Sequence, residues 1–85
     1  KILVDFAKND KAWQVRCAAI NSVTNQKVHI DVTKNDVDDR VRGIAIIQVA
    51  DKEVLTDIAK NDVNEVVRGI AQIRLLGLQI SNKDT

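Results

Sequence analysis

The stretch Lys60-Asn61-Asp62-Val63-Asn64-Glu65-Val66-Val67-Arg68-Gly69-Ile70-Ala71 recurs 26 positions upstream as Lys34-Asn35-Asp36-Val37-Asp38-Asp39-Arg40-Val41-Arg42-Gly43-Ile44-Ala45. A looser copy lies another 26 positions back, Lys8-Asn9-Asp10-Lys11-Ala12-Trp13-Gln14-Val15-Arg16-Cys17-Ala18-Ala19. A fixed period with no insertion is the signature of stacked supersecondary units. The chain divides into units 1–26, 27–52 and 53–78, with a tail at 79–85. Seven columns are identical in all three: Asp5/Asp31/Asp57, Lys8/Lys34/Lys60, Asn9/Asn35/Asn61, Asp10/Asp36/Asp62, Val15/Val41/Val67, Arg16/Arg42/Arg68 and Ala19/Ala45/Ala71. Identity within one chain reports a structural demand shared by equivalent positions.

Each unit reads as two helices. Ile2, Leu3, Phe6 and Ala7 share one helical face, as do Val54, Leu55, Ile58 and Ala59. The shared Asp, three residues before the shared Lys, is placed to pair with it on the solvent side. The shared Asn suits a left-handed helix end. The Asp that follows suits the N-cap of a second helix, with Glu65 positioned to close a capping box. In that second helix Val41, Ile44, Ala45 and Val49, and likewise Val67, Ile70, Ala71 and Leu75, form an apolar stripe. Ile46, Ile47 and Ile73 add a second flank, so this helix is expected to be buried on two sides. Gly43 and Gly69 share a column with Cys17. Glycine costs about 1 kcal/mol against alanine inside a helix, so its recurrence is read as close approach by another backbone. Gly77 reads as a helix stop, after which Leu78 and Ile80 fold back over the last unit. No segment alternates at period two for long enough to make a strand. The expected fold is therefore all-α: six helices in three antiparallel pairs, stacked as an α/α solenoid. Helices this short are marginal alone and rely on stacking between units.

These residues resemble the HEAT and HEAT-like α-helical repeats. That family's second helix carries an Asp, then five residues, then Val-Arg-x-x-Ala-small-x-small-aliphatic. Asp10 with Val15-Arg16-Cys17-Ala18-Ala19-Ile20-Asn21-Ser22-Val23 fits this pattern. So do Asp36 with Val41-Arg42-Gly43-Ile44-Ala45-Ile46-Ile47-Gln48-Val49 and Asp62 with Val67-Arg68-Gly69-Ile70-Ala71-Gln72-Ile73-Arg74-Leu75. The proline that often kinks the family's first helix is absent, and the period is short. Both features are closer to the compact bacterial and archaeal HEAT-like repeats, including those related to phycobilisome lyases. The leucine-rich repeat variant shares the Asp-then-Val-Arg flavour, but its prolines are missing here. The resemblance implies that Asp10, Asp36 and Asp62 and Arg16, Arg42 and Arg68 form a structural ladder tying the turn of one unit to the next. An Asp at such a place both caps backbone N–H groups and accepts a bidentate Arg.

Composition narrows the function. Thirteen basic and twelve acidic side chains leave a formal charge of +1, which does not ask for nucleic acid or an anionic membrane. Lys8, Lys34 and Lys60 form a basic column that could follow phosphates, but Asp5, Asp31 and Asp57 lie within reach and offset it. No apolar run approaches the roughly 18 to 20 residues needed to cross a bilayer, and no secretory signal pattern opens the chain. Cys17 is the only cysteine, which fits a reducing, cytoplasmic setting. Methionine is absent even at position 1, as expected of a fragment or a processed product. Among 85 residues there is no Gly-rich phosphate loop, G-x-S-x-G or H-E-x-x-H. His29 is the only histidine and shares its column with Leu3 and Leu55, which reads as a tolerated core substitution. No cofactor or metal is expected.

A non-catalytic module that presents a face to a protein partner is the leading expectation. Its specificity would lie in the columns that vary: Lys11/Val37/Val63, Trp13/Asp39/Glu65, Gln14/Arg40/Val66 and Asn21/Ile47/Ile73. Trp13 stands where the other units carry carboxylates. It reads either as a binding anchor or as packing against a further unit. The candidate partner-binding set is Trp13, Gln14, Val37, Arg40, Val63 and Val66. Two alternatives come from other classes. The family resemblance allows a subunit associated with an enzyme activity, such as a bilin lyase or chaperone, and the lysine column allows a nucleic-acid binder.

Overall fold

The computed structural model describes residues 2–84, with side-chain environments through residue 80. Six helices are present: α1 (Ile2–Asn9), α2 (Trp13–Ser22), α3 (Gln26–Asn35), α4 (Asp39–Ile46), α5 (Lys52–Asn61) and α6 (Glu65–Asp84). The described residues contain no strand. Each sequence unit supplies two helices, and the Asn-Asp pair marks the break between them.

That break is built differently from the sequence expectation. No described residue has positive φ, so Asn does not close its helix in a left-handed conformation. Asn35 and Asn61 instead remain helical, and their amides donate to Asp31 and Asp57 one turn back, at 2.7 Å in each case. The short Asn side chain satisfies its amide without leaving helical geometry. Asp36 and Asp62 are C-caps in extended conformation, not N-caps. The N-cap lies two residues further on. Asp38 accepts from the Arg40 N–H at 2.8 Å, and Asn64 accepts from those of Val66 and Val67 at 2.8 and 3.1 Å. Ala12 occupies the same place before α2 and has no side-chain oxygen to offer. Glu65 is the first residue of α6, so it stands too early for the capping box.

Consecutive helices of a unit pack on each other, and α2, α4 and α6 form a second series of contacts across the units. Ala7, Ala19, Ile20, Val23, Val32, Val41 and Ala45 make one buried cluster. Ile46, Val49, Leu55, Ile58, Val67 and Ala71 make another. Helix α4 belongs to both, with Val41 and Ala45 facing one cluster and Ile46 the other. The second flank expected for these helices reduces to Ile46, because Ile47 and Ile73 are exposed.

Two glycine expectations are corrected. At Gly43 an added Cβ would lie 3.4 Å from the Ile70 Cδ1 atom, and at Gly69 it would meet nothing within 4 Å. A side chain, not a backbone, approaches the first, and the second is open. Helix α6 also runs straight through Gly77. Leu75 and Leu78 both pack on the second cluster, which favours continuing the helix over the roughly 1 kcal/mol that an interior glycine costs. Ile80 stays exposed on this helix and does not fold back.

Side chains of neighbouring units meet backbone groups left open at helix ends. Gln26 clasps the α4–α5 connection, donating to the Gln48 carbonyl at 3.0 Å and accepting from the Ala50 N–H at 2.8 Å. Gln48 donates in turn to the Ile20 carbonyl at 3.3 Å, and Arg74 to that of Val49 at 2.7 Å.

Candidate functional site

Two arrangements span the units: a ladder of charged pairs along the turns, and an apolar groove across the second helices.

The ladder has two complete rungs. Arg16 donates through Nε and Nη2 to the two carboxylate oxygens of Asp36, at 2.8 and 3.0 Å. Arg42 does the same to Asp62, at 2.9 and 3.1 Å. The remaining nitrogen of each fork, Nη1, reaches a backbone carbonyl of its own unit, Asp10 for Arg16 and Asp36 for Arg42. The carboxylates are held as well, since Asp36 accepts from the Asp38 N–H and Asp62 from the Asn64 N–H, both at 2.9 Å. Both guanidinium groups are about nine-tenths buried. The hydrogen bond to Asp36 raises the Arg16 pKa, and that to Asp62 raises the Arg42 pKa, in both cases against opposition from burial. For Asp62, burial is the largest single influence and opposes ionisation. The Arg42 and Asn64 hydrogen bonds together with the nearby cationic charge outweigh it, so the carboxyl lies below its ordinary value. Arg68 keeps only the backbone part of the pattern, donating to the Asp62 carbonyl at 2.7 Å.

The lysine column is arranged unlike the expectation. Lys8 does not pair within its own helix; its ammonium lies 2.7 Å from Asp31 of the next unit. Stacking brings the two units' first helices close enough for this contact, while in-helix competition from Asn35 occupies the other side of the same carboxylate. The Lys8 and Asn35 bonds hold Asp31 below the ordinary carboxylate range. Lys34 and Lys60 make no ion pair among the described residues.

The groove runs between α2, α4 and α6 and measures about 460 Å³. It is lined by the apolar side chains of Trp13, Ile44, Ile47, Val66 and Ile70, by Gly43 and Cys17, and by the polar Asp39, Arg40 and Asn64. Trp13 is half-buried: its ring packs against the first core cluster and carries the Arg40 guanidinium 3.7 Å above its centroid. That distance permits a cation–π contact. Arg40 is tied simultaneously to Asp38, at 2.7 and 3.0 Å, which holds Asp38 down to about 2. Asn64 donates to Asp39 at 3.2 Å.

Of the six residues expected to contact a partner, Trp13, Arg40 and Val66 come together in this groove. Val37 and Val63 are 92% and 90% exposed in the turns outside it, and Gln14 does not line it. Sequence reasoning missed Ile44, Ile70 and Cys17, having assigned the two isoleucines to the core stripe. Their signal lay in the small residues of the neighbouring column, which leave the isoleucines partly uncovered. His29 is buried and lies 2.6 Å through Nε2 from the Val23 carbonyl. A carbonyl only accepts, so that nitrogen carries the proton and donates, which makes His29 part of the core between two units. Burial pushes the Cys17 thiol up, leaving it protonated and a poor nucleophile at neutral pH. The described residues hold no group of three or more His, Cys, Asp or Glu suited to a metal, and no helix long and apolar enough to cross a membrane. No family model, curated protein or solved structure matches this chain.

Proposed function

We propose that the chain is a HEAT-like α-solenoid segment and acts as a non-catalytic scaffold that binds a protein partner through the groove between α2, α4 and α6. The groove is the observation that carries this reading. Most of its lining is aliphatic or aromatic, with Asp39, Arg40 and Asn64 beside it, and it draws on all three units. An apolar centre with a polar edge is the usual anatomy of a protein-binding surface, and a half-exposed tryptophan with a stacked arginine supplies residue types enriched at binding hot spots. The two Arg–Asp rungs hold the units in the register that forms the groove. A single cysteine fits a partner met in a reducing compartment.

The test is capture of proteins on the immobilised chain beside Val66→Glu and Val37→Ser variants. Val66 is a surface position within the groove, so a carboxylate there opposes docking without entering the core. Val37 lies in a turn outside the groove. A protein held by the native chain and by Val37→Ser, and lost with Val66→Glu, supports the groove. Equal capture by all three places the binding surface elsewhere.

A further inference from the structure

Building on the protein-binding groove read above, we propose that its occupant is an amphipathic helix of the partner, its apolar stripe laid against α4 and α6 and a lysine or arginine beside that stripe paired with Asp39. The groove belongs to the middle of the stack. Helix α4 is flanked by α2 and α6, and Ile47 at its end is still 52% exposed. The described residues contain no strand, so no sheet edge is there to receive an extended segment. Such a segment would lay its own N–H and C=O groups against Ile44, Ile47 and Ile70, where nothing completes their hydrogen bonds. A helix satisfies its backbone internally and docks through side chains alone. Along α4, Asp39 and Ile47 lie about 12 Å apart, a little over two turns. Apolar residues at i, i+3 or i+4, and i+7 of the occupant cover that length.

The charges beside the groove select a cation. Arg40 is already engaged: its Nε and Nη2 hold Asp38, and its guanidinium face lies on Trp13. The caps Asp38 and Asn64 take N–H groups at the starts of α4 and α6, which weakens the pull of those helix ends on an anion. Asp39 differs from both. It receives the Asn64 amide at 3.2 Å and has no ion-pair partner among the described residues. Exposed Glu65 opens α6 one residue after Asn64 and adds a second carboxylate at that end. Arg42 and Arg68 are turned to the ladder side, where both donate to Asp62. A carboxylate on the occupant would be repelled by Asp39, and an ammonium or guanidinium would pair with it.

The test is selection from a displayed peptide library on the immobilised 85-residue chain, followed by titration calorimetry of the enriched sequence as a free peptide. The peptides are about 16 residues, long enough for four helical turns. One half of the library carries apolar residues at i, i+3, i+4 and i+7 with Lys, Gln or Glu beside the stripe, and the other half is extended and proline-containing. Helical peptides with a basic residue beside the stripe should be enriched. A formal charge of only +1 gives the chain no general attraction for basic peptides, so that preference is local. Asp39→Asn keeps an oxygen for the Asn64 amide. It should weaken the lysine peptide roughly 2- to 5-fold, the size of an exposed ion pair, and leave the glutamine version unchanged. Asp39→Lys should turn the preference toward glutamate. Enrichment of extended or acidic peptides, or a lysine preference that Asp39→Asn does not alter, overturns the basic helix, while loss of that binding with Val66→Glu keeps the groove. Binding that Val66→Glu leaves intact, or no enrichment at all, overturns the groove as a binding surface and the helix with it.

Discussion

Arg42 touches three carbonyl or carboxylate oxygens at once, so its removal is felt on two units. Replacing it with methionine would leave the Asp62 carboxylate largely buried without its cation and the Asp36 carbonyl without its donor. Breaking a buried pair from one side is among the more damaging single changes, and roughly 3 kcal/mol is expected here. The double variant Arg42→Met/Asp62→Asn should lose clearly less than the sum of its singles, because the second change removes the charge that the first stranded. Urea unfolding of the four proteins gives the coupling; strict additivity would show that the rung does not act as a unit. At this scale much was legible in the chain. The Asp and Arg columns recur in every unit, and the structure pairs Arg16 with Asp36 and Arg42 with Asp62 across units. The lysines were not legible in the same way. An Asp three residues before a Lys permits an in-helix pair, but whether Lys8 reaches Asp5 or Asp31 depends on the distance between helices, which spacing along one helix does not contain.

Helix ends show the same division. The Asn-Asp dipeptide marks each break, yet the capping groups sit two residues later, at Asp38 and Asn64. Asp36 and Asp62, expected as caps, instead receive arginine from the preceding unit. Ala12 is the exception in its column. Its backbone is extended and suited to an N-cap, with φ −88° and ψ 124°, but it makes no side-chain bond to the first turn of α2. Ala12→Asp is expected to stabilise the protein by about 1 kcal/mol, the usual gain from a capping carboxylate. Thermal unfolding checks this; an unchanged midpoint would mean that α2 begins elsewhere in solution. Gly77 was misread for a related reason. Glycine permits a stop without requiring one, and the Leu75 and Leu78 contacts with the second cluster carry α6 onward.

For the molecule as a whole, the depressed carboxyls set the response to acid. Asp31 and Asp62 lie below their ordinary value and Asp38 lies at about 2. A carboxyl with a lower pKa folded than unfolded contributes stability that is complete above its unfolded value, about pH 4, and is lost as pH falls through the folded one. Stability should therefore be level through the neutral range and decline from about pH 4 toward pH 2, where Arg40 releases Asp38. Denaturation midpoints measured across pH test this, and a decline already under way at neutral pH would contradict it. The period and the helical class were readable along the chain, because they follow from apolar spacing and from residues repeated at equivalent positions. The Asp–Arg ladder was implied by the family resemblance, and its pairing of Arg16 with Asp36 and of Arg42 with Asp62 is seen in the structure. Packing between helices settled which helix flank is covered, that Trp13 sits half-buried beneath Arg40, and that Ile44 and Ile70 open onto a groove while Val37 and Val63 stand apart. Those outcomes depend on how far apart packed helices lie and on what a neighbouring unit covers, and no pattern along a single helix encodes either distance.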